Sequence, residues 1–161
     1  MSVDILREAV IFKGLNETQL GEVASIAKIE RHVAGTYLFN EDEQSTCIYI
    51  VEEGKISLQL AVGHRSNKIT VETISKGDAV GWSIFLEPSR YSFSALCAED
   101  SKVIVLDGVK FRKLLDQDKA LGLVVMKRII EILLFRFKNT KAQLVTEIEM
   151  AQLKSKGGTL L

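Results

Sequence analysis

The sequence has a single proline, Pro88, a single tryptophan, Trp82, only two cysteines, Cys47 and Cys97, and no net charge. Each scarcity excludes something. One proline in 161 residues fits a composition with no sign of low complexity. The two cysteines sit in separate strand-like apolar runs with no Cys-x-x-Cys or Cys/His cluster, which argues against a zinc module or a disulfide framework. Both are read as buried free thiols. Twenty-one basic side chains balance twenty-one acidic ones, so no global positive field draws a nucleic-acid backbone. Long apolar runs are missing too: Lys127, Arg128 and Glu131 interrupt residues 121–134, and no stretch reaches the roughly 20 apolar residues of a membrane span. The N-terminal stretch lacks a basic region followed by an apolar one, so no secretory signal is expected and the expected location is cytoplasmic. His32 and His64 are far apart and fit no metal-ligand pattern. A Gly-rich phosphate loop with lysine, a Gly-x-Ser-x-Gly elbow and a Cys/His pair are all lacking, so no enzyme of a common class is expected.

What is present reads as one globular domain with an appended helix, 47% hydrophobic and 26% charged. Residues 3–28 read as short helices. Asn16-Glu17-Thr18-Gln19 forms a capped start, and Leu15, Leu20, Val23, Ile26 and Ala27 recur at helical spacing. Across residues 32–106 the pattern changes to brief β-branched and aromatic runs, predicting strands at 37–39, 47–51, 55–60, 68–74, 91–97 and 102–106. Glu52-Glu53-Gly54-Lys55 reads as a hairpin turn with Gly54 at positive φ, and residues 62–67 as another. Short strands of this kind predict a sandwich, jelly roll or barrel.

The helical signal returns at 108–116 and again at 119–154, interrupted weakly by Gly122. In the second run Ile130, Leu133, Phe137, Thr140, Leu144 and Ala151 trace an approximate 3-4 stripe. Two readings fit it: pairing with a second copy of the chain, or folding back over its own domain. Residues 155–161 are expected to form a flexible tail.

One segment carries binding chemistry: Gly81-Trp82-Ser83-Ile84-Phe85-Leu86-Glu87-Pro88-Ser89-Arg90-Tyr91-Ser92. A glycine followed by a short helix-compatible run offers backbone N–H groups, and the Arg90 guanidinium adds a fork of donors, a combination that suits a phosphate-like anion. An alternative for Arg90 is a surface ion pair with Glu87.

Three stretches resemble a known family. They are Phe12-Lys13-Gly14-Leu15; Ala34-Gly35-Thr36-Tyr37-Leu38-Phe39 through Ile48-Tyr49-Ile50-Val51-Glu52-Glu53-Gly54-Lys55-Ile56; and Ile74-Ser75-Lys76-Gly77-Asp78 leading into Gly81. In these the chain resembles a cyclic nucleotide-binding domain of the catabolite-activator type. The resemblance implies an α+β fold: N-terminal helices, an eight-stranded antiparallel β-roll (jelly roll), then C-terminal helices including one long helix. The expected organisation is a β-roll unit at 1–118, a dimerising helix at 119–154 and the tail at 155–161. DNA-binding members of this family add a helix-turn-helix after the long helix. With the chain ending at Leu161, none is expected, nor direct DNA contact.

The resemblance also makes residues 81–92 the phosphate-binding cassette: a glycine, a glutamate, a short helix, and further on an arginine followed by a small residue. Gly81 and Arg90 match, and the N–H groups of Ser83, Ile84 and Phe85 are expected to complete the anion site. Two positions depart from the pattern, with Trp82 in place of the ribose-binding glutamate and Tyr91 in place of the small residue. A carboxylate accepting from a ribose hydroxyl contributes about 1.5–3 kcal/mol. An indole donates but cannot accept, so ordinary cyclic-AMP recognition is not expected. The indole either stacks on a planar ligand or fills the pocket. The implied ligand set is Gly81, Trp82, Ser83, Ile84, Phe85, Arg90, Tyr91 and Ser92, with Thr140 of the long helix near the base. Two functions follow. One is a regulatory sensor that binds a small anionic ligand, cyclic AMP or another phosphate-bearing molecule, and signals through the long helix of a homodimer to a protein partner. The other is an interaction scaffold in which Trp82 and Tyr91 have closed the pocket.

Overall fold

The computed structural model describes residues 3–63 and 67–157. Three helical segments open the chain: α1 (Val3–Glu8), a 3-10 turn (Val10–Phe12) and α2 (Glu17–Ile26). Asn16 caps α2 as its sequence predicts: its side chain accepts from Gln19 N–H while the Gln19 side chain accepts from Asn16 N–H. Eight strands follow: β1 (Ala27–His32), β2 (Tyr37–Phe39), β3 (Cys47–Glu53), β4 (Ile56–Ala61), β5 (Lys68–Ile74), β6 (Ala79–Val80), β7 (Ser94–Cys97) and β8 (Ser101–Asp107). They form two antiparallel sheets, ordered β1-β8-β3-β6 and β2-β7-β4-β5. Helices α3 (Gly108–Gln117) and α4 (Lys119–Gly157) close the chain. This is the α+β jelly roll expected from the sequence.

Burial explains the strand sequences. Between the sheets lie Val51, Val80, Val103 and Val105 from one and Phe39, Ile56, Leu58, Ile74, Ala95 and Cys97 from the other. Alternate residues of β3 and β8, Ile48, Ile50, Ile104 and Leu106, are buried as well. β8 is therefore covered on both faces, which is why it reads as a continuous apolar run. Gly54 has φ +89°, and a Cβ there would stand 2.6 Å from Asp100 O, so the predicted hairpin position needs glycine on two counts. The turn at 62–67 is closed by Val62 N–H donating to Asn67 O, with residues 64–66, including His64, outside the described residues.

Some boundaries differ from the sequence reading. β1 is absent from the expected strands, and its first two residues fall in the stretch 3–28 read as helical, because α2 ends at Ile26 without a glycine or proline to mark the stop. β6 has two residues, too few to show a period. The predicted strand 91–97 begins only at Ser94: the Tyr91 backbone pairs instead with the loop before β3, accepting from Asp42 N–H and donating to Glu43 O. Cys97 is buried as expected, and burial pushes its thiol pKa up; Cys47 is only half-buried, and both thiols are free. α4 continues to Gly157, past the expected end at 154, and residues 158–161 lie outside the described ones.

The chain divides into two units, Met1–Val125 and Met126–Leu161. In the first, α3 packs against the N-terminal helices through an edge-to-face pair, Phe12 and Phe111. The second is helical, and Ile130, Leu133, Phe137, Thr140, Leu144 and Ala151 on it are all exposed. Among the described residues, no helix is long and apolar enough to cross a membrane.

Candidate functional site

Residues 81–92 leave β6 through Gly81, whose φ is +99° and whose added Cβ would stand 2.5 Å from Cys47 O. Only glycine fits this turn and this approach. A 3-10 turn follows (Trp82–Phe85), in which Ile84 N–H donates to Gly81 O and Leu86 N–H to Ser83 O. The turn is seated on α3 by three contacts. Ile84 is buried beside Gly108, Phe85 packs on Phe111 with ring centroids 6.3 Å apart, and Arg112 Nη1 donates to Ile84 O at 2.6 Å.

The second half of the segment is zipped to residues 40–47. Ser45 N–H donates to Ser89 O, and the Ser89 hydroxyl lies within reach of both Ser45 O and Ser83 O. Arg90 Nη1 donates to Asp42 O at 2.6 Å, and its backbone bridges to Gln44. Tyr91 is 4% exposed. Its ring stacks on Phe39 with centroids 3.7 Å apart and planes 13° from parallel, and Phe39 in turn meets Tyr49 at 5.6 Å. Its hydroxyl donates to Cys47 O (3.0 Å) and accepts from Cys47 N–H (3.1 Å) and Thr46 N–H (3.3 Å). Burial pushes the phenol pKa of neighbouring Tyr49 well up.

The candidate residues thus separate into two directions. Tyr91, with Phe93, Ala95 and Cys97, belongs to the cluster between the sheets, whereas Arg90 and Ser92 are exposed. Arg90 makes no ion pair with Glu87; it bonds a carbonyl instead. Ser83 is buried, its hydroxyl 3.5 Å from that of Ser92. Trp82 is half-buried and is not part of the cluster between the sheets, which includes Tyr91. The indole Nε1 is shielded from solvent and has no hydrogen-bond partner. Thr140 lies exposed on α4, within the unit Met126–Leu161. No cluster of three or more His, Cys, Asp or Glu able to hold a metal occurs among the described residues.

Sequence reasoning missed the residues that receive these side chains. In the 40–46 loop Asp42 holds φ +68°, a conformation that aspartate tolerates better than most residues. Nothing in the sequence connected it to 89–94.

A two-sheet antiparallel roll with a glycine-led 3-10 turn after its sixth strand, carried between N- and C-terminal helices, defines a jelly-roll domain. The chain belongs to the cyclic nucleotide-binding domain family, whose model matches residues 29–118. It is 32% identical over 109 residues to an anaerobic regulatory protein of Bacillus subtilis, an alignment that covers 67% of this chain and 44% of that protein. The chain therefore spans less than half the length of that relative. A protein of Geobacter metallireducens GS-15 superposes with a TM-score of 0.74 at 25% identity over 85% of this chain and 98% of that one. The regulatory domain of Toxoplasma gondii PKA, solved with cAMP, superposes with a TM-score of 0.62 at 22% identity over 70% of this chain and 42% of that one, a likeness of fold.

Proposed function

We propose that this chain is a non-enzymatic regulatory module of the cyclic nucleotide-binding fold whose interior is occupied by its own Tyr91, and that it acts by pairing with a second copy through α4. The observation that carries this reading is the Tyr91 side chain: 4% exposed, stacked on Phe39 and bonded through its hydroxyl to the backbone of Thr46 and Cys47. A ligand entering between the sheets at this point has to break those bonds and expose the ring. Loss of the ribose acceptor at Trp82 works in the same direction, since an indole cannot accept from a hydroxyl. Support for pairing comes from α4, where Ile130, Leu133, Phe137 and Leu144 are 44–69% exposed at 3-4 spacing.

A second reading keeps the ligand. The Trp82 Nε1–H is shielded without an acceptor, and burying such a donor costs free energy that an anionic oxygen on a small ligand would offset. In that reading Tyr91 swings out, and Gly81, Ser83, Ile84, Phe85, Arg90 and Ser92 contribute to the site. Calorimetry with cyclic AMP and cyclic GMP on the wild type and on Tyr91→Ser separates the two. The first reading expects no heat from the wild type; saturable binding by the wild type overturns it in favour of the second. Light scattering on the wild type and Phe137→Glu tests the pairing, which a monomer at high concentration rules out.

A further inference from the structure

Outside the roll, Gln44, Glu87, Pro88, Ser89, Arg90 and Arg112 line a cleft of about 330 Å³. That volume is at the lower end of cavities that hold small molecules. Its two guanidinium groups arrive from different directions, Arg90 from the end of the cassette and Arg112 from α3. Each is held by one 2.6 Å bond from Nη1 to a backbone carbonyl, Asp42 O for Arg90 and Ile84 O for Arg112. Among the described residues neither has a carboxylate within 4.0 Å, whereas Arg7, Arg31 and Arg128 all do. In a chain whose charges cancel overall, two arginines anchored at the Nη1 end, with donors left over and no carboxylate partner, form a local excess of positive charge.

We propose that this cleft is an oxyanion site, separate from the interior of the roll, that takes a phosphate dianion, either free or as a monoester. Planar guanidinium forks match such an anion, and the Ser89 and Gln44 side chains add polar lining. Glu87 also lines the cleft, and its carboxylate opposes an anion. The three side chains together leave one net positive charge, and a dianion gains more from them than a monoanion does. Because Arg112 lies on α3 and Arg90 on the cassette, a bound dianion bridges the two elements and favours the arrangement in which they stay together. This inference goes beyond the function proposed above and does not depend on whether anything enters the roll.

Trp82, the only tryptophan, is in the 3-10 turn whose carbonyl Arg112 grips, so its fluorescence reports on the cleft. The experiment titrates the full chain at low ionic strength with inorganic phosphate, with AMP and with adenosine, following fluorescence and calorimetric heat, with chloride at matched ionic strength as the control. Saturable binding of phosphate or AMP is expected, with adenosine silent. Tighter binding of AMP than of phosphate assigns a monoester, and equal binding assigns free phosphate. Arg90→Gln and Arg112→Gln each weaken binding about tenfold, the loss of one charge-assisted contact. Glu87→Gln, which touches no bond that holds the segment, tightens it about threefold. Absence of saturable phosphate or AMP binding overturns the proposal. So does binding unchanged in a folded Arg90→Gln or Arg112→Gln protein, binding that Glu87→Gln does not tighten, or an adenosine response equal to that of AMP.

Discussion

Replacing Tyr91 by phenylalanine removes one oxygen and leaves the ring on Phe39, so it isolates what the hydroxyl does. That oxygen serves three backbone groups: it donates to Cys47 O and accepts from Cys47 and Thr46 N–H. A net hydrogen bond contributes about 0.5–1.5 kcal/mol, and a buried partner left unsatisfied costs about 1–3. The contact to Thr46 is the longest at 3.3 Å and adds least. The loss should come to about 2–3 kcal/mol, which in a chain of this size lowers Tm by about 5–10 °C. Thermal unfolding by circular dichroism, with urea melts to show an unchanged m value, measures it. A Tyr91→Phe protein within about 0.5 kcal/mol of the wild type refutes the clamp. It would mean that the ring merely occupies space, and the case against ligand entry would lose its main support.

Three other outcomes are expected. Gly122→Ala tests packing against propensity: alanine in a helix gains about 1 kcal/mol over glycine, but a Cβ at this position stands 2.6 Å from Leu115 O, so a lower Tm is expected rather than a higher one. Lys102→Met leaves Glu52, 12% exposed and paired to Lys102 Nζ at 2.5 Å, as an uncompensated charge; urea melts should show a loss of about 3 kcal/mol, most of it restored by adding Glu52→Gln. The Asp118 carboxyl pKa lies below its ordinary value, chiefly because it accepts from Leu121 N–H at the start of α4 and also through the Gln19 side chain. Its contribution is therefore complete above the unfolded pKa and is lost as pH falls through the lower folded one. Asp118→Asn should flatten the acid limb of a Tm-versus-pH curve below about pH 4.

Most of the fold was legible because its signals are local. The α2 cap is carried by four adjacent residues, the turn at Gly54 by one residue whose conformation excludes others, and β8 by an unbroken apolar run that two covered faces require. What escaped was either too short to carry a period, as in β6, or dependent on long-range pairing. The residues that hold the cassette, Asp42, Thr46, Cys47 and Arg112, meet it across separations of 28 to 48 positions. Residue type at one end of such a contact does not reveal the other end.

The direction of Arg90 was legible, and it is the point on which the site turns. Matching a cassette by its glycine and its arginine tolerates a small variation in the gap between them, but an extended segment does not tolerate a shift of one. Residues 90–97 read Arg-Tyr-Ser-Phe-Ser-Ala-Leu-Cys, with apolar side chains at 91, 93, 95 and 97, the set that packs between the sheets. Arg90 is out of step with that set, and it is exposed where Tyr91 is buried. An arginine one residue later would have pointed inward, where Tyr91 now lies against Phe39. Trp82 departs from the family pattern, but its half-buried indole is not part of the interior cluster. Tyr91 is a member of that cluster, whereas Arg90, its neighbour in sequence, is exposed and lines the cleft it shares with Arg112.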